Sequence, residues 1–166
     1  MRLRVLLCAL LGVGLLTTLA GPARAEAATG TTFGGVQFGY LPDGLGQASD
    51  FNYEYDDVTF VARVWESSVP DGWRVDADLD VMTGARLTTG AALHDWFIAY
   101  EDRPPAEARY LPVRVHGHPG WLSRDQLFWL VRPGLAVSVQ LDASRWNAAE
   151  VVRTAWSAVV ISPSGS

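Results

Sequence analysis

Beyond residue 8 the chain has no cysteine. That removes disulfides, thiol nucleophiles and thiolate metal sites from everything after Cys8. Lysine is missing altogether, and all thirteen basic residues are arginine. A Ser-x-x-Lys catalytic pair is therefore impossible. No Gly-x-Ser-x-Gly, His-Glu-x-x-His or glycine-rich phosphate loop occurs, so the common signatures of serine hydrolases, zinc peptidases and nucleotide binders are absent. There is no linker, no internal repeat and no low-complexity block.

Positive charge is also scarce. Arg2, Arg4 and Arg24 lie near the start, whereas all eighteen acids stand at or after Glu26. The 141 residues from Glu26 onward carry ten arginines against eighteen acids, a net charge of −8. An acidic surface favours solubility and argues against nucleic acid or an anionic membrane surface as partner.

The one long apolar run is Val5 to Leu19, interrupted by Gly12, Gly14, Thr17 and Thr18. Arg2 and Arg4 precede it, and Ala23-Arg24-Ala25 follows as a small-x-small cleavage site. This pattern predicts a secretory signal peptide over 1–25, cut after Ala25. The run is too short for a retained membrane span. Cys8 is no lipidation site, because Pro22 stands where a lipobox after Leu19-Ala20-Gly21 needs cysteine. The expected product is an extracytoplasmic protein without a transmembrane anchor. It comprises a flexible leader over 26–32, one domain over 33–161 and a flexible tail over 162–166.

Alternation predicts strands through the middle of the chain. Phe51, Tyr53 and Tyr55 alternate with Asn52, Glu54 and Asp56. Val58 to Trp65 has apolar residues on both faces. Val75, Ala77, Leu79 and Val81 oppose Arg74, Asp76, Asp78 and Asp80, and these acids are expected on a solvated face. Val113 and Val115 alternate with Arg114 and His116. Gln126–Val131 and Leu135–Leu141 flank Arg132-Pro133-Gly134, which predicts a hairpin. A helix is expected from about Arg145 to Val160, capped by Asp142 or Ser144 and docking through Ala148, Val152, Ala155, Trp156 and Val159. Leu93, Trp96, Phe97 and Tyr100 fit a helical stripe, although a strand fits the aromatics nearly as well. The fold class is α+β: a curved, mostly antiparallel sheet with a C-terminal helix packed on one face.

No constellation of residues predicts a catalytic or metal site. His116 and His118 share one side of a strand, with His94 or an aspartate as a conceivable third ligand, but they sit beside Gly117 and Pro119-Gly120 in a turn-like setting. Asp76, Asp78 and Asp80 resemble the opening of a calcium loop, yet Val81 and Leu87 stand where it needs glycine and glutamate. His94-Asp95 reads as a surface pair, and Asp56-Asp57 as a hairpin turn. The seven tryptophans are the remaining signal. They fill a core, or they line a groove for a glycan, lipid chain or peptide. The strands carrying Val61 and Trp65, and Trp129 and Val131, are apolar on both faces. One face meets the terminal helix. The other needs a cover, and these four residues are the candidate ligand-binding set.

Two segments carry a family resemblance. Val36-Gln37-Phe38-Gly39-Tyr40-Leu41-Pro42-Asp43-Gly44 resembles the YLPxG opening of a family of uncharacterised extracytoplasmic domains of Gram-positive bacteria. Val113-x-Val115-x-Gly117, Leu127-Phe128-Trp129, Pro133-Gly134-x-Ala136-Val137 and Glu150-Val151-Val152-Arg153-x-Ala155-Trp156-Ser157 resemble its closing pattern. Such domains are similar in style to the LolA and RseB/MucB half-barrels, which hold or sense a lipid chain. The resemblance implies a curved sheet backed by a helix, in an actinobacterial setting, and brings no catalytic residue and no cofactor.

The resulting expectation is a secreted, non-catalytic binding or sensor domain for a hydrophobic ligand, peptide or protein partner at the cell surface. The alternatives are a cell-wall hydrolase using His116, His118 and acids, and a tryptophan-based glycan-binding module.

Overall fold

The computed structural model describes residues 30–104 and 109–161. The expected signal peptide, most of the leader and the tail over 162–166 lie outside the described residues. Within them the chain is mostly antiparallel sheet with two short helices. Strands β1 (Thr31–Phe33) and β2 (Val36–Phe38) open it, followed by β3 (Gln47–Tyr55), β4 (Val58–Val69) and β5 (Gly72–Thr83). Helix α1 (Gly90–Glu101) precedes β6 (Leu111–Val115), β7 (His118–Leu122), β8 (Gln126–Arg132) and β9 (Leu135–Leu141). Helix α2 (Ala148–Trp156) and β10 (Ala158–Val160) close the chain. Thr31 and Thr32, placed in the leader on composition, belong to β1. Their ladder to Phe38 and Gln37 recruits them into the fold.

Seven strands form the main sheet in the order β3-β4-β5-β9-β8-β7-β6, and β1-β2-β10 form a small second sheet. Two-residue loops set the registers. Val115 pairs with His118 across His116-Gly117, both at positive φ, and Tyr55 pairs with Val58 across Asp56-Asp57, also both at positive φ. That backbone pair matches the right-handed twist of the flanking strands. Gly120 serves a different need. A Cβ there would lie 2.8 Å from the Cβ of Trp129, so only glycine lets β7 pass under the indole.

Cross-strand pairing sorts the main sheet into two faces. Phe60, Met82, Ala136 and Leu130 form one row across β4, β5, β9 and β8. With Val58 and Phe128 they pack against Leu93 and Phe97 of α1 in one buried cluster. Thr89 caps α1, its hydroxyl accepting from the Ala92 amide at 3.1 Å. The helical stripe in the sequence is therefore a helix, and each of its large buried side chains contributes roughly 1.5–3 kcal/mol.

On the other face Val61, Val81, Val137 and Trp129 form the matching row. This face is buried under Val151 and Ala155 of α2 and under Phe33, Val36 and Phe38 of the small sheet. Helix α2 is shorter than expected. Asn147 caps it, its side chain accepting from the amides of Ala149 and Glu150. Asp142 and Ser144 instead form a turn in which the Ser144 amide bonds Asp142 Oδ1. The helix docks through Val151, Thr154 and Ala155, whereas Trp156 is half exposed and Val159 lies in β10. A helix reaching residue 160 would forgo the β10–β2 ladder, which pairs Ala158, Val159 and Val160 with Phe38, Gln37 and Val36.

The acids of β5 correct a second expectation. Asp76 and Asp80 are buried and Asp78 is partly buried. Asp78 and Asp80 stand in rows with Gln140 and Ser138, on the face that carries α1. The alternation was strict, but it separated two buried faces rather than core from solvent. No helix of the described residues is long and apolar enough to cross a membrane.

Candidate functional site

A cleft of about 270 Å3 lies between the small sheet and the β7–β8 side of the main sheet. Its apolar lining comes from Val36, Trp129, Val131, Val137 and the β10 residues Ala158, Val159 and Val160. His116 and His118 are the only titratable residues that line it. Both imidazoles are exposed, and the His116 ring lies 5.0 Å from that of Trp156. β10 is an edge strand, so the cleft runs beside backbone that no described strand covers. Val159 is 59% exposed at its rim. Its volume falls just below the roughly 300–1,000 Å3 of pockets that enclose a drug-sized molecule. It suits one short apolar group.

The four candidate residues lie on one face, the one buried by α2 and the small sheet. Trp129 and Val131 line the cleft. Trp65 is buried and Val61 partly buried, both in the packed interior of that face, and neither lines the cleft. The valines of β10, which the sequence placed on a helix, complete the lining.

Histidine chemistry finds no support in the surroundings of this cleft, because no carboxylate lines it. His94 sits on α1, bonded to Asp95 at 3.0 Å and packed on Trp121. Among the described residues no group of three or more His, Cys, Asp or Glu is placed to hold a metal ion.

A separate electrostatic perturbation lies on the face that carries α1. Burial pushes the Asp78 carboxyl up to about 6, and the charge of Glu101 adds to the rise. Burial also raises Asp80 well above the ordinary carboxyl value, aided by Asp78 and Glu101. One oxygen of each, Oδ1, is buried without a hydrogen-bond partner among the described residues. Glu101 itself is held, accepting from Arg103 Nε at 2.9 Å and from Gln126 Nε2 at 3.0 Å. Close by, the hydroxyls of Tyr53 and Tyr100 share a hydrogen bond of 2.8 Å, and burial pushes Tyr100 up to about 12. Asp78 also lines a polar groove of about 580 Å3 together with Arg74, Asp125, Gln140 and Asp142. The groove is larger than the apolar cleft. Three of its carboxylates are already engaged, Asp76 by Arg145 and Arg74, Asp125 by Arg103 and Asp142 by Arg74.

Asp76 behaves in the opposite way. Burial alone would raise it, but Ser67, Arg145, the Gly46 amide and Arg74 all donate to it and together hold it below the usual carboxylate range. It is a structural anchor.

The tryptophans divide between core and surface. Trp65 and Trp129 are buried, whereas Trp73 is 65% and Trp156 49% exposed. No protein-family model matches the chain, and no curated protein or solved structure matches it either.

Proposed function

We propose that this is an exported, non-catalytic binding or sensor domain whose cleft takes the short aliphatic end of a lipid-like amphiphile. The observation that carries the reading is the composition of the cleft: seven apolar residues around one hollow, with two exposed imidazoles as its only titratable groups. An aliphatic segment is stabilised by about 25 cal/mol per Å2 removed from water. A polar head left at the opening meets His116 and His118. The same arrangement disfavours the hydrolase alternative, since neither histidine has a carboxylate beside it in the cleft.

Export rests on the residue pattern over 1–25, and kinship with the YLPxG-opening, LolA/RseB-like domains rests on the two quoted segments. A curved half-barrel form of the sheet belongs to the same proposal. It is supported by the antiparallel order of seven strands and by the register shifts at Trp65/Glu66 and Leu130/Arg132, because bulges bend the strands that carry them.

The test is titration of the protein with fatty acids of increasing chain length, following tryptophan emission, to which Trp129 in the cleft contributes. Short and medium chains are expected to bind saturably. Val159→Asp, at an exposed rim position, is expected to weaken binding without lowering the melting temperature. Equal affinity in the variant, or no saturable binding at any chain length, would remove the reading.

A further inference from the structure

We propose that the half of the main sheet left uncovered by α1 binds a neutral sugar chain, with Trp73 as its stacking platform. This site is separate from the apolar cleft and stands without it.

Helix α1 covers the end of its face that holds Phe60, Met82 and Leu130. At the other end Gln47 pairs with Glu66, Glu66 with Val75, and Ser68 with Trp73, so side chains of β3, β4 and β5 share one surface. Ser49 follows Gln47 by two residues and therefore points the same way. Gln47, Ser49, Glu66 and Trp73 line a shallow hollow of about 270 Å3. Trp73 stands beside the β4–β5 turn with about two-thirds of its surface in solvent, and its near neighbour Val75 is 49% exposed.

An indole this exposed contributes little to the core, since burial is what makes a large aromatic stabilising. Its surroundings are not those of an apolar docking patch. Around the ring stand a carboxamide, a hydroxyl and a carboxylate, which donate and accept hydrogen bonds in varied directions. A pyranose offers the matching pair of surfaces: a C–H face that packs on an aromatic ring and an edge of hydroxyls that pair with such groups. Charge narrows the class. The lining contains Glu66 and no arginine, while Arg74 is turned to Asp76 and Asp142. An anionic sugar or nucleic acid would meet a like charge. A neutral or N-acetylated chain would not.

The experiment is calorimetric and fluorescence titration of the full chain with two probes, a β-1,4-glucose tetrasaccharide and a β-1,4-N-acetylglucosamine tetrasaccharide. Saturable binding of at least one is expected, with a blue shift of tryptophan emission as Trp73 is covered. Trp73→Ala is expected to weaken it at least about tenfold, equivalent to about 1.4 kcal/mol. Trp73→Tyr should retain part of the affinity. Val159→Asp, which tests the cleft, should leave sugar binding unchanged, so the two sites fail or succeed separately. Binding of neither probe, or unaltered binding by Trp73→Ala, overturns the proposal. So does concentration-dependent self-association that disappears in Trp73→Ala, because the indole would then serve a protein contact.

Discussion

Asp76 of β5 and Arg145 of the loop before α2, 69 residues apart in the chain, form an ion pair at 2.5 Å. The carboxylate is fully buried, whereas the guanidinium is 26% exposed and lies over the Trp146 ring. Arg145 also donates to the Gly44 carbonyl at 2.8 Å, and Asp76 accepts from the Gly46 amide at 2.9 Å. One pair of residues thus ties the 43–46 loop, β5 and the entry to α2 together.

Removing that carboxylate strands several donors at once. Asp76→Ala is expected to destabilise the fold by about 3 kcal/mol, the scale for breaking a buried, hydrogen-bonded ion pair. Asp76→Asn should be milder, because the amide oxygen still accepts from Gly46 or Ser67. Urea unfolding of both variants measures the difference. Equal stability of the wild type and Asp76→Ala would show that the anchor is dispensable.

Helix α2 makes a second comparison possible. Val151 is fully buried and Trp156 half exposed. Val151→Ala removes two methyl groups from the interior and is expected to cost about 2 kcal/mol, while Trp156→Ala should change stability by less than about 1 kcal/mol. The order of the two melting temperatures is the readout. A larger loss from Trp156→Ala would mean that the helix docks by its indole.

These two sites show where sequence reasoning succeeded and where it stopped. The β8–β9 hairpin, the β6 strand and the antiparallel sheet were legible, because Pro133-Gly134 and the alternation around them are local signals; β7 was not, because Pro119-Gly120 reads as a turn and the strand forms by pairing with β6 and β8. So was the apolar character of Val61, Trp65, Trp129 and Val131. What covers a face is not local. Whether Asp80 meets water depends on α1, whose Phe97 and Tyr100 arrive from some twenty residues away. Whether Val159 continues a helix depends on Gln37, more than a hundred residues earlier. The cleft was half legible for the same reason: Trp129 and Val131 carried the signal, but β10 supplies its other wall.

The Asp56-Asp57 turn gives a third prediction. Both residues have positive φ, at 50° and 61°, a region that costs most L-residues roughly 1–2 kcal/mol and aspartate somewhat less. Asp56 accepts from Trp96 Nε1 at 3.2 Å and pairs with Arg86 at 2.9 Å, so it has work to do there. Asp57 is 81% exposed and only 3.6 Å from Arg86. Asp57→Gly is expected to stabilise by about 0.5 kcal/mol, and Asp57→Val to destabilise by about 1–2 kcal/mol. Thermal melts of the two variants should move in opposite directions; a shift in the same direction would show that turn conformation does not govern this position.

The buried acids of β5 predict an unusual pH profile. A carboxyl whose pKa rises on folding keeps its proton in the native state after the unfolded chain has lost it. Between the two values the native state binds more protons, so stability falls as pH rises. For Asp78 that window runs from the ordinary value of 3.8 to about 6. Its penalty is absent below the window and complete above it. Asp80, raised well above 3.8, carries the decline further upward. Asp76 has the opposite sign. Its lowered pKa makes a contribution that is present above the unfolded value and lost as pH falls through the folded one. Together they place maximal stability at the foot of the Asp78 window, about pH 4, with a fall toward neutrality and beyond. Tyr53 on β3 and Tyr100 and Glu101 on α1 face these carboxyls, and none supplies a positive charge to offset them. Asp80→Asn removes the buried ionisable group and its desolvation cost, and should stabilise the protein by about 1–3 kcal/mol at pH 8, with little effect at pH 4. Urea midpoints measured across that range test both statements. A wild-type midpoint that stays level or climbs from pH 5 to pH 8, or an Asn variant that loses stability at pH 8, would show that Asp78 and Asp80 reach solvent or a cation.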